Sequence, residues 1–396
     1  MELTPKSEIN NRIKRLQEKL VAEELDGVFI LQNADLFYFT GTVQSSILYV
    51  PAEGTPILMG RKNHNRITKE SSIETIISLT SFKEIPHVLK DQGIKNLSKI
   101  GLELDVLPSV LYLNFQKLLP GTSLGDASRL IRLIRMIKSD YEVDILREAG
   151  RVTDIVMDKA REVLKEGLTE YEFATMILNF ALQHGHQGVV RLRGWNQELP
   201  FLPLVLSGEN GAIPSFMDAA LGGKGINYSI PIGPGHKKIC PGEPIMIDFG
   251  IALNGYVIDQ TRTMAIGRLS ADLVAAHKAS LDIQEETVKY LLPGKSCSEI
   301  YKVAIETAKK LGYEDHLMGY GENRARFVGH GVGIEMDELP VLANGFKILL
   351  EKNMTIAVEL KLIFPKIGSV GIENTWLIRK EEPECLTRSS NSLYFI

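Results

Sequence analysis

Two hydrophobic periods run along this chain, and their arrangement changes near residue 135. From about Glu8 to Glu24, Ile, Leu and Val recur at helical spacing, and GVFILQ (Gly27 to Gln32) follows as an apolar run of strand length. Further runs, SILYVPA from Ser46, TPILMG from Thr55, TIISL from Thr75 and KIGLEL from Lys99, are separated by polar and helical stretches. Strands alternating with helices predict an α/β domain over residues 1–135. No glycine-rich phosphate loop follows these strands, so nucleotide binding has no local support.

A new pattern begins at RMIKSDYE. Ser139 and Glu142 form a capping box, and Val143, Leu146, Ala149, Val152, Ile155 and Val156 continue on one helical face. Thr169 with Glu172 and Ser296 with Glu299 predict two more helix starts, each after a glycine-containing turn, as an internal duplication would leave them. The stretches PIMIDFGIAL, YVIDQTRTMAIG, MTIAVELKLIF and VGIENTWLI read as strands. Residues 136–396 are therefore expected to form an α+β domain, with paired helices against a curved antiparallel sheet.

Composition narrows the function classes. With 44% hydrophobic and 24% charged residues, the 396-residue chain has the balance of a soluble globular protein. Its net charge of -4, without long blocks of one sign, gives no electrostatic reason to expect nucleic acid or an anionic membrane, and favours a small ligand. The first residues lack a signal-like apolar core and no segment reaches a membrane span, so a cytoplasmic location is expected. Cys240, Cys297 and Cys385 lack C-x-x-C spacing and read as ordinary thiols.

The chemistry concentrates in two hairpins. Asn254-Gly255 lies between apolar alternating runs, the pattern of a tight turn needing positive φ. Counting outward from that turn sets Asp248 opposite Thr261, with Asp259 two residues from Thr261 on the same side. Two buried acids on one face repel unless a cation lies between them; otherwise one faces solvent and the other pairs with Arg262. In the second hairpin, Glu359 and Glu373 stand symmetrically about PKIG at Pro365 to Gly368. Between the hairpins in sequence, GHG frames His330 with glycines that permit close backbone approach. Four carboxylates and one imidazole suit manganese, iron, cobalt or zinc. Paired ions of that kind lower the pKa of a water and polarise a carbonyl.

These motifs, D-F-G with D-Q-T-R-T eleven residues on, GHGVG, and two glutamates fourteen apart, resemble the pita-bread metallopeptidase family, which includes prolidases, aminopeptidase P, methionine aminopeptidases and creatinase. The resemblance covers nearly the whole chain. It implies a creatinase-type N-terminal domain and a pita-bread catalytic domain. It also implies two divalent ions, manganese first and cobalt, iron or zinc as alternatives, held by Asp248, Asp259, His330, Glu359 and Glu373. Glu359 would take the proton of the attacking water and Thr261 would orient that water. The implied activity is Xaa-Pro dipeptidase or aminopeptidase, with a small peptide as substrate and a homodimer as the assembly.

Departures from the family pattern sharpen the expectations. Asp337, ahead of Glu338 and Pro340, stands where a histidine is usual, and Ser215 follows Pro214 where another is usual. Leu360 follows Glu359 in place of proline, and Gly371 replaces an arginine. Asp337 is thus a candidate acid or base, beside a metal that would tune it. Candidate substrate contacts are Ser215, Trp195 in RGWNQE and His236 in GPGHKKI, with His184 and His186 as other sources of an imidazole. The alternative activity is non-peptide hydrolysis or a lyase elimination, with Asp337 as acid or base.

Overall fold

A computed structural model describes residues 3–95 and 97–396. The chain divides into two compact units, Met1–Arg135 with Arg193–Trp195, and Met136–Leu192 with Asn196–Ile396.

In the first unit the apolar runs become β1 (Gly27–Ile30), β2 (Ser46–Pro51), β3 (Ile57–Gly60), β4 (Thr75–Ser78), β5 (Lys99–Leu102) and β6 (Ser123–Asp126). They form one mixed sheet in the order β4-β3-β2-β1-β5-β6. β1 and β2 are buried along their whole length, as strands covered on both faces must be. The helix Lys6–Ala22 buries Ile9, Ile13, Leu16 and Leu20, the stripe its spacing predicts. Phe29, Tyr49, Ile100 and Phe115 lie in this unit's core.

All three capping boxes in the second unit are formed, each with both reciprocal bonds: Ser139–Glu142, Thr169–Glu172 and Ser296–Glu299. They open the helices Asp140–Val163, Glu170–Gln183 and Cys297–Lys310. The main sheet is built from β7 (Leu204–Ser207), β8 (Ile245–Asp248), β11 (Thr261–Ala265), β12 (Phe327–Gly331), β13 (Glu338–Ala343), β14 (Thr355–Phe364) and β15 (Gly368–Leu377). Its order is β13-β12-β14-β15-β11-β8-β7, antiparallel at each of these steps. β9 (Ile251–Leu253) and β10 (Tyr256–Ile258) form a separate two-stranded sheet.

Helix Ala271–Val288 packs on one face of β14 and β15, where Gln284 donates to the Val358 carbonyl and accepts from Asn374. The alternate residues Glu359, Lys361 and Glu373 therefore point to the other face. Among the described residues no helix is long and apolar enough to cross a membrane.

Candidate metal centre

One rung of the main sheet carries most of the site. Asp248 on β8 pairs with Thr261 on β11, Thr261 with Glu373 on β15, and Glu373 with Glu359 on β14. Neighbouring strands lie about 4.8 Å apart, so four polar side chains stand in a row on one face. On the far side of β14, His330 of β12 pairs with Ala357, two residues from Glu359 and hence on that same face. Gly329 and Gly331 let β12 approach: a Cβ at Gly329 would come within 2.5 Å of the Ala357 carbonyl, and one at Gly331 would collide with the Leu339 carbonyl.

The first hairpin keeps the expected register on both sides of Asn254-Gly255, but its ladder breaks on either side of Phe249-Gly250 and Asp259-Gln260. Asp259 sits in that break. Its backbone N–H donates to Thr375 Oγ1 (3.2 Å), and the same hydroxyl donates to its carbonyl (2.8 Å). Leaving the ladder frees Asp259 to turn toward His330 and Glu373, with one ligand atom from each of the three within 4.8 Å of the others. Arg262 does not pair with Asp248 or Asp259. It donates to the carbonyls of Thr261, Glu373, Ser389 and Ser390 and to Asn374 Oδ1.

A sixth residue joins the five. Lys361 Nζ lies 2.8 Å from Asp248 Oδ2, 2.7 Å from Glu359 Oε2 and 3.0 Å from Glu373 Oε2, and the side chain is 4% exposed. The motifs alone pass over it, although the signal was present. In a strand that is otherwise apolar on both sides of Glu359, a lysine two positions on must share the acid's face.

The acceptors that Lys361 leaves over converge elsewhere. His330 Nδ1 is 3.0 Å from the Met336 carbonyl, which fixes the proton there when the ring is neutral and turns the Nε2 lone pair inward. Nε2 is 3.8 Å from Oε1 of both Glu359 and Glu373. Glu373 Oε1 is buried and has no hydrogen-bond donor. Buried acceptors facing one another without a donor require a proton or a cation between them.

The electrostatics follow. Burial, then the neighbouring Glu373 and Asp248, hold Asp259 well above the usual carboxylate range. Burial also raises Asp248, although Lys361 opposes it. Burial works against charge on Lys361 and His330. The surrounding carboxylates outweigh it in both, raising the lysine well above its ordinary value and the imidazole above its own. A divalent ion at Asp259, His330 and Glu373 suits this donor set of oxygens and one imidazole.

Thr261 and Asp337 each stand beside one member of the ligand cluster, Glu373 and His330 respectively. Thr261 Oγ1 donates to Glu373 Oε2 at 2.7 Å and so orients that carboxylate. Asp337 Oδ1 stands 3.6 Å from His330 Nδ1 and the side chain is 40% exposed. The turn before it is anchored by Glu338, which accepts from the N–H groups of Ile334 and Glu335 and from Lys138.

The six side chains open onto a cavity of about 450 Å³, walled by apolar residues such as Val190, Leu199, Phe201, Phe249 and Val341. Asp337 and His186 also line it. His186 Nδ1 accepts from the Ala252 N–H, burial pulls the ring below its usual pKa, and the neutral ring carries its proton on Nε2.

The three residues expected to bind substrate are not among those lining the cavity. His236 is exposed, its ring 5.9 Å from Tyr171. Ser215 turns its hydroxyl back to accept from Met217 N–H. Trp195 belongs to the first unit and is 89% exposed. His184 is exposed and bonded to the Phe180 carbonyl, so of the histidines weighed from sequence it is His186 that reaches the site.

Known proteins share both the sequence pattern and the fold. Residues 144–380 match the model of metallopeptidase family M24, and residues 12–137 that of the creatinase/prolidase N-terminal domain. An Xaa-Pro dipeptidase of Pyrococcus furiosus is 25% identical over 386 residues, spanning 97% of this chain and 100% of the relative. Among solved structures, an Xaa-Pro dipeptidase from Bacillus anthracis superposes with a TM-score of 0.84 at 23% identity, covering 98% of this chain and 100% of the other. An X-Pro aminopeptidase from Thermotoga maritima gives 0.80 at 22% identity, covering 97% and 99%.

Proposed function

The chain belongs to metallopeptidase family M24, and from that premise we propose that it hydrolyses short peptides at an Xaa-Pro bond, as a dipeptidase or aminopeptidase dependent on a divalent cation, manganese first. The observation that carries this reading is the rung Asp248–Thr261–Glu373–Glu359 with His330 beside it, opening on an apolar cavity sized for a small ligand. The cation would be held by Asp259, His330 and Glu373, and when bound it supplies Lewis acidity toward a carbonyl and a water.

The chain's own groups supply the rest. Glu359 turns Oε1 toward His330 and is the candidate proton acceptor for water, its other oxygen being held by Lys361. Thr261 and the Met336 carbonyl fix Glu373 and His330. His186 offers an N–H donor to substrate from the cavity wall. The apolar walls suit a pyrrolidine ring and exclude water from it. A homodimer is part of the reading on the creatinase-type domain alone, and light scattering tests it.

The deciding experiment combines elemental analysis with a panel of Xaa-Pro dipeptides, longer Xaa-Pro peptides and proline-free controls, on the wild type and Glu359→Ala. Proline-dependent cleavage that disappears in the variant supports the reading. A metal-loaded protein inert across the panel would sink it. A second reading, elimination or non-peptide hydrolysis through Asp337, draws on that carboxyl being 40% exposed in the cavity wall beside His330. An alkene product lost in Asp337→Ala, with metal retained, would decide for it.

A further inference from the structure

The family resemblance implied two ions shared by four carboxylates and an imidazole, yet the ligand atoms divide into two sets that are not equivalent. One set, Asp248 Oδ2, Glu359 Oε2 and Glu373 Oε2, surrounds the Lys361 ammonium at 2.7 to 3.0 Å. The other comprises Asp259, His330 Nε2 and the Oε1 atoms of the two glutamates, with Glu373 Oε1 buried and without a donor. Each glutamate thus commits one oxygen to a covalently tethered cation and leaves the other turned toward His330.

We propose that this centre holds a single metal ion, at Asp259, His330 and Glu373, and that the Lys361 ammonium permanently occupies the second cation position. The reason is steric as well as electrostatic. A divalent ion bonds carboxylate oxygens at about 2.0 to 2.2 Å. An ion serving Asp248, Glu359 and Glu373 together would have to sit where Nζ now sits, and two hydrogen bonds, to Asp248 and Glu359, with an ion pair to Glu373 hold Nζ there.

The backbone is shaped for this substitution. Directly across from Lys361 on β15 is Gly371, where any Cβ would come within 2.7 Å of Lys361 Cα. Glycine at that position keeps the space beside the lysine backbone clear of a competing side chain. A tethered ammonium neutralises acids and donates hydrogen bonds, but it offers no open position for a water or a carbonyl. The chemistry of the centre would then fall to one Lewis acid, with Lys361 holding Asp248, Glu359 and Glu373 in place.

This inference rests on the metal-dependent reading above, and its test separates the two. The purified chain is loaded with manganese(II) alone and desalted, and bound metal is measured by elemental analysis alongside the manganese EPR spectrum. One equivalent with an uncoupled six-line spectrum is expected. Lys361→Met should raise uptake to two equivalents and replace that spectrum with an exchange-coupled one. Two equivalents in the wild type would overturn the inference and leave the peptidase reading standing, and Lys361→Met still taking up one would also overturn it. No bound metal would overturn both. The wild-type stoichiometry needs no variant, so the test remains decisive if Lys361→Met does not fold.

Discussion

Each unit buries a cluster of acids, and the two clusters solve the same problem in opposite ways. In the first unit, Asp35 is fully buried with an arginine for each oxygen: Arg135 Nη1 at 2.5 Å from Oδ1 and Arg193 Nη1 at 2.8 Å from Oδ2. Arg193 also engages Asp105 through Nε at 2.6 Å and Nη2 at 3.0 Å. Burial works against the charge on Asp35, but the two arginines overcome it and hold the carboxyl below its ordinary value. Its neighbour Glu103 goes the other way, raised well above the carboxylate range by burial and by Asp35. Glu103 Oε2 accepts from the backbone N–H groups of Leu31 (2.7 Å) and Gln32 (3.0 Å), which oppose that rise without cancelling it.

In the second unit the acids outnumber their fixed cations. Asp259 is buried too, yet it is held well above the carboxylate range, because burial is joined there by the acids Glu373 and Asp248 and not overcome by cations. Burial alone therefore does not mark a functional acid. Nor does one raised carboxyl, which Glu103 shows as well; the mark of the second cluster is several acids and an imidazole converging around too few fixed cations, which leaves a place for a cation that comes and goes.

The largest effect expected from this contrast is on catalysis. Asp259→Ala should abolish metal uptake and lower kcat/KM on an Xaa-Pro substrate by about 10³-fold or more, the equivalent of several kcal/mol of Lewis-acid stabilisation. Elemental analysis and steady-state kinetics check both halves. Asp35→Ala should act on stability instead. Removing the buried carboxylate that Arg135 and Arg193 share costs about 3–5 kcal/mol, read as a lower urea midpoint. Equal effects of the two substitutions on stability would break the contrast.

Asp337→Asn removes the charge beside His330 and should cost about 10–100-fold in metal affinity or activity, measured by titration with manganese. The pH dependence of the chelated protein sharpens the comparison further. Asp259 has a folded pKa above its unfolded one, so its penalty grows as pH rises past the ordinary carboxylate range and is complete above the folded value. Asp35 has a folded pKa below its unfolded one, so its contribution is present above the ordinary range and is lost as pH falls through the folded value. Asp259→Asn should therefore stabilise the chelated protein toward neutral pH and flatten the upper part of its stability curve, followed by denaturation at a series of pH values. The smallest effect belongs to His236→Ala, an exposed position away from the cavity lining. Stability should stay within about 0.5 kcal/mol and kcat/KM should be unchanged.

Periodicity and turn chemistry made much of this architecture legible. Three capping boxes fixed helix starts, and two turns fixed the registers that set Asp248 against Thr261 and Glu359 against Glu373. Local rules carried these because the partners lie close in sequence. The break around Asp259 was not legible, since it depends on Thr375, 116 residues away, taking over the backbone groups. Lys361 could have been found from its two-residue spacing to Glu359, but its significance depends on Asp248 of another hairpin. Ser215 is a candidate by its place after Pro214, where the family carries a histidine, and Trp195 and His236 by side-chain type; a cavity wall is assembled by tertiary packing that neither ground reports.

The rung has a consequence for how the protein reaches its native state. Thr261 meets Glu373 across 112 positions of chain, and Lys361 meets Asp248 across 113. Contacts of such long sequence separation close late, after the entropy of a large loop has been surrendered. Free metal would then find no template in the unfolded polypeptide, so it should leave the refolding rate untouched and act as a latch that slows unfolding.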